Sequence, residues 1–161
     1  MDSADRFRKI DAQMHGHLVP SWDEICLDLE LPDHRWRGHD PAESVARLRR
    51  AWDAREVDWT ETAVLWLGVE SAGDRTFLDP VGYGEIDETG FPLRARWHGD
   101  PLESEDLTAF SRFALEEECY DAYDYGVTLA WTALTVRLLN PSPSGVPVLA
   151  GFGGGDWLTF G

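Results

Sequence analysis

The hydrophobic pattern changes period at Thr62, and that change constrains the fold more than any single motif. Upstream, apolar residues recur at helical spacing; from Ala63 they run and alternate as strands do. Residues 4 to 14 place Phe7, Ile10 and Met14 on one helical face. Ser21-Trp22-Asp23-Glu24, after Pro20, has the form of a capping box, with a short helix expected through Leu29. Pro32 to Gly38 reads as a polar loop holding Asp33, His34, Arg35, Trp36 and Arg37. The next helix is expected over Asp40 to Glu56. Asp40 is its N-cap, and Pro41 sits at the first helical position, where a missing amide costs nothing. Val45, Leu48 and Trp52 form its buried stripe, leaving Arg47, Arg50 and Arg55 toward water.

Beyond the change of period, Ala63 to Glu70 reads as a strand and Ser71 to Asp74 as a turn. Arg75 to Leu78 returns as a second strand, ended by Asp79-Pro80. Tyr83 to Ile86 and Phe91 to Trp97 flank an Asp87-Glu88-Thr89-Gly90 turn, which makes an antiparallel meander. Asp100-Pro101 repeats the chemistry of Asp40-Pro41, so a helix is expected over about 101–119, with Leu107, Phe110, Phe113 and Ala114 inward. Residues 121–139 fit both periods; length and the Asn140-Pro141 stop favour a helix. Val146 to Ala150 and Trp157 to Phe160 close the chain as a hairpin around its glycine run. The fold class is therefore α+β: N-terminal helices, a central antiparallel meander, one or two long helices and a C-terminal hairpin. Residues 1–161 suit one globular domain, with 1–39 as a more loosely packed helical extension.

Charge then sets the class of partner. The chain has a formal net charge of −16 and eight tryptophans. Residues 100 to 125 carry nine acids (Asp100, Glu103, Glu105, Asp106, Glu116, Glu117, Glu118, Asp121, Asp124) against Arg112 alone. A field of this sign repels nucleic acid and anionic lipid and steers basic partners inward. The bases are thirteen arginines and Lys9, the bias of a GC-rich genome and read as bacterial. Arg47, Arg49, Arg50 and Arg55 are interleaved with Asp53, Glu56 and Asp58, so direct nucleic-acid binding is not expected. Met1 to Asp5 lacks the basic start of a secretory signal. The longest apolar stretch, Val127 to Leu139, is too short and polar for a bilayer. The expected compartment is the cytoplasm, with no membrane partner.

No motif supplies an activity. Cys26 and Cys119 stand alone and read as two buried thiols. Gly151-Phe152-Gly153-Gly154-Gly155 is followed by a strand pattern where a phosphate loop needs a helix. His15, His17, His34 and His39 lack a third ligand at any metal-site spacing. No cofactor, metal or catalytic residue is assigned. Glu116, Glu117 and Glu118 stand near a helix C-terminus, where the helix dipole disfavours them. Tyr120, Asp121, Tyr123, Asp124 and Tyr125 follow, so rings are interleaved with acids as in tight interfaces.

These eight residues are the expected partner-binding surface of a non-enzymatic acidic protein that docks a basic one. In composition alone the chain is similar to small acidic bacterial proteins that neutralise toxins or nucleases, an immunity protein being the most specific version. The enzymatic alternative is a small metal-assisted hydrolase or ligand-binding enzyme. It would use Glu117, Asp121 and Asp124 beside an aromatic pocket of Trp66, Trp97 and Trp131.

Overall fold

The computed structural model describes residues 1–31, 40–119 and 123–161, with 123–125 by backbone alone. The expected loop at 32–38, together with His39, Tyr120 and Asp121, lies outside the described residues. Helix α1 spans Ser3–Met14, capped by the Asp2 carboxylate, which accepts from the Asp5 amide at 2.8 Å. Helix α2, Trp22–Asp28, begins on a complete capping box. The Ser21 hydroxyl accepts from the Glu24 amide, and the Glu24 carboxylate accepts in return from the Ser21 amide. Helix α3, Pro41–Asp53, carries the Asp40 cap and buries Val45, Leu48 and Trp52.

Arg55 departs from its expected place in water. It lies past the end of α3 and donates to the carbonyls of Asp100 and Pro101. Burial lowers its pKa, with the Asp100 charge opposing that shift. Its guanidinium ties the end of α3 to the backbone at Asp100-Pro101.

Strands β1 (Val64–Ala72), β2 (Arg75–Ile86) and β3 (Pro92–His98) form the expected meander. Asp79-Pro80, however, does not end β2. Pro80 lies opposite Leu67 in the ladder, and its carbonyl accepts from the Gly99 amide at 2.9 Å. Its missing N–H points the same way, toward the outer edge where β3 ends and β4 (Leu102–Glu103) begins. No ladder bond is lost there, so the strand runs through the proline.

A second correction follows at Asp100-Pro101, which does not open a helix over 101–119. Leu102 is fully buried and pairs with Leu78 in the sheet. Ser104 then takes the cap, accepting from the Leu107 amide, and α4 spans Glu105–Glu117.

A π-helical segment, Tyr123–Thr128, leads into α5, Leu129–Leu139, which ends at the left-handed Asn140. Leu129 to Val136 are all buried, the pattern of a helix enclosed on every side. Strands β5 (Val148–Phe152) and β6 (Trp157–Phe160) form the C-terminal hairpin. β5 also pairs in parallel with β1, so the sheet is mixed, in the order β3-β2-β1-β5-β6, with β4 on the β2 edge. The result is a single-domain α+β fold.

The alternation of the strands gives the sheet two faces. Leu65, Leu67, Val69, Leu78, Val148, Ala150 and Leu158 face one side. They join Ile10, Trp22, Ile25, Leu48, Phe110 and Trp131 from all five α-helices in one core. Among the described residues, no helix is long and apolar enough to cross a membrane.

Candidate functional site

The acidic segment is less uniform than its composition. Asp106 is buried, receives the Ser44 hydroxyl and lies 3.7 Å from Arg47. Glu103 is paired with Arg75 at 2.7 Å. Glu116, Glu117 and Glu118 remain exposed at the end of α4, and among the described residues no ion pair or side-chain hydrogen bond engages them. Glu118 itself is left-handed, with a φ of 51°. Exposed Leu115 stands beside them. For Tyr123, Asp124 and Tyr125 only the π-helical backbone is described. The eight expected residues are thus placed in part: three carboxylates on one helix end.

Cys26 is buried and Cys119 only half-buried, and no disulfide joins them. His15 Nδ1 lies 2.7 Å from the Asp11 carbonyl one turn earlier, and His17 is exposed. Among the described residues, no group of three His, Cys, Asp or Glu is placed to hold a metal ion.

The three tryptophans expected around one pocket separate into three places. Trp131 is at the centre of the core, edge-on to Trp22 at 4.8 Å and to Phe110 at 5.7 Å. Trp97 donates its indole N–H to the Thr62 hydroxyl at 2.9 Å and meets Trp59. Trp66 is on the opposite face of the sheet, because Leu65 and Leu67 beside it face the core. An aromatic pocket built from all three does not exist.

Trp66 instead belongs to a site that the sequence reading missed. The face of the sheet away from the core presents Trp66, Gly68 and Glu70 from β1 and Phe77, Asp79, Val81 and Tyr83 from β2. β5 and β6 add Gly151 and Trp157. A Cβ on Gly68 would fall 2.6 Å from Trp66 Nε1, so the indole lies down over this glycine. It meets Trp157 edge-on at 6.1 Å, and Phe91 meets Trp157 at 5.9 Å. A cleft of about 270 Å³ opens between them, lined by Trp66, Glu70, Tyr83, Phe91 and Trp157 with Asp79 at its side. Among the described residues its walls are strands and their turns, with no helix over it.

Of the two carboxylates in this cleft, Glu70 is the one open to a ligand. Glu70 has no ion pair or hydrogen bond among the described residues, and the backbone of Gly153 packs close to its carboxylate. Asp79 Oδ1 lies 2.6 Å from His98 Nε2. An open carboxylate beside four aromatic rings favours a cation. The signal in the sequence was the alternation Trp66-Gly68-Glu70, which puts ring, gap and acid on one strand face.

Compared with protein-family models, with curated proteins and with solved structures, the chain matches none.

Proposed function

We propose that this chain is a non-enzymatic binding protein for a basic protein partner, in its most specific form a bacterial inhibitor of the immunity type. The observation that carries this reading is the set of Glu116, Glu117 and Glu118, exposed at the C-terminal end of α4 and without an ion pair among the described residues. A helix C-terminus carries partial negative charge, so three acids there cost stability instead of adding it. No base stands in the last turn of α4 to offset them. Carboxylates held against the dipole suit a partner that brings the missing positive charge. The net charge of −16 adds long-range steering, which raises association rates and falls steeply with salt.

The test is affinity capture from an extract of the organism that encodes the chain, at low and at high salt. A parallel capture uses a variant with Glu116, Glu117 and Glu118 changed to Gln and Asp121 and Asp124 to Asn. A basic protein that is lost at high salt and lost with the variant is the expected result. Retention of the same protein by the variant, or capture of none at low salt, counts against this reading.

A further inference from the structure

We infer that the cleft on the open face of the sheet receives an arginine side chain presented by the basic partner. The inference rests on the proposed function and adds to it a second, more selective contact. Size is the first ground. At about 270 Å³ the cleft lies below the roughly 300–1,000 Å³ of ordinary small-molecule sites. It suits one long side chain entering from outside better than an enclosed substrate.

The chemistry of the walls is the second ground. Trp66 and Trp157 stand 84° apart, so one offers an edge where the other offers a face, and Phe91 continues the set at 67° to Trp157. Indole faces attract cations more strongly than other aromatic side chains do. Glu70 supplies a full negative charge that nothing described neutralises, and no Lys or Arg lines the cleft. A guanidinium meets both demands at once: its plane stacks on rings, and its fork can bind a carboxylate through two parallel N–H donors. An ammonium is a compact, strongly hydrated charge with neither property.

The third ground is the rim. The end of the β2–β3 hairpin beside the cleft exposes Phe91, which is 49% accessible, next to Pro92, with Leu93 exposed on the same face as Tyr83. Apolar residues around a charged anchor exclude water from it, the arrangement typical of interface hot spots. The Tyr83 hydroxyl and the indole N–H groups of Trp66 and Trp157 have no intramolecular partner among the described residues.

The experiment is calorimetric titration of the full chain with a short glycine-serine peptide carrying three arginines. Two control peptides replace each arginine by lysine or by uncharged citrulline. The arginine peptide binds saturably, lysine weakens it, and citrulline abolishes it. Glu70→Gln weakens the arginine peptide about tenfold, the loss that follows from one charge-assisted hydrogen bond. Glu70 is exposed, so this variant folds, and unchanged urea midpoints check that point. Trp157→Leu gives a comparable loss, while Glu61→Gln, an exposed acid outside the cleft, stays within about twofold. The triple variant E116Q/E117Q/E118Q is titrated beside them to separate the cleft from the end of α4.

Arginine binding that Glu70→Gln and Trp157→Leu leave intact overturns the assignment. If only the triple variant weakens it, the cleft is excluded while the basic-partner reading stands. Equal binding of arginine and citrulline overturns it as well, as does the absence of saturable binding by the arginine peptide.

Discussion

The two faces of the sheet carry the same residue types in different surroundings. On the covered face, large side chains find partners inside the molecule: Trp52 donates to the Pro141 carbonyl at 2.9 Å and Trp97 to Thr62. On the open face, Trp66 lies over Gly68 and meets Trp157 edge-on, with the indole N–H groups of both unmatched among the described residues. Burying aromatic area inside the core serves stability; leaving it half-open beside carboxylates serves recognition. A tryptophan is therefore a stability residue or a recognition residue according to what stands over it.

The largest effect expected from this contrast is in stability. Trp131→Ala removes the centre of the core and costs about 3–5 kcal/mol. Trp66→Ala removes a half-buried ring and costs about 1 kcal/mol. Urea denaturation compares them, and equal losses would break the distinction between the faces.

Glycine substitutions give the next effect. A Cβ on Gly151 would sit 2.4 Å from the Asp156 carbonyl and 2.7 Å from the Trp157 Cα, backbone atoms of the hairpin where it enters the adjacent strand. Gly151→Ala costs about 1–3 kcal/mol, because neither atom can move without the hairpin. At Gly68 the obstacle is a side chain with solvent beyond it, so Gly68→Ala costs less and displaces the Trp66 ring. The same denaturation series, read with the Trp66 indole proton signal, checks both. A larger loss at Gly68 than at Gly151 contradicts an open face.

The smallest effect lies in the β2–β3 turn that rims the cleft. The Thr89 hydroxyl and the Phe91, Thr89 and Gly90 amides hold the Asp87 carboxyl below its ordinary pKa of 3.8. A depressed folded-state pKa stabilises above the unfolded value and loses that contribution as pH falls through the folded one. Asp87→Asn is therefore less stable than the parent at neutral pH, and the gap closes as pH drops below 3.8. A gap that stays constant across that range rules out this role for Asp87.

Local chemistry made much of the fold legible. Asp40-Pro41 and the Ser21–Glu24 box start helices as they read, because a cap depends on the four or five residues around it. The same reasoning failed at Asp100-Pro101, where Leu102 is drawn into the sheet opposite Leu78 and the cap passes to Ser104. Pro80 was misread as a strand end because its cost depends on which neighbour its missing amide would have met. The parallel pairing of β1 with β5 joins residues some eighty positions apart and leaves no local trace.

The candidate site divides in the same way. Glu116 to Glu118 stand at a helix end as expected, since a run of acids is visible in any reading frame. The cleft draws on Trp66 and Glu70 of β1, Asp79 of β2, Phe91 of the β2–β3 turn and Trp157 of β6, and strand register unites these four places.

The measurement that bears most directly on the central claim is the response of the indole N–H resonances to the captured basic partner. If the open face is the recognition surface, the signals of Trp66 and Trp157 shift on binding while those of Trp22 and Trp131, enclosed in the core, hold their positions. Unmoved Trp66 and Trp157 signals in a saturated complex would contradict the account.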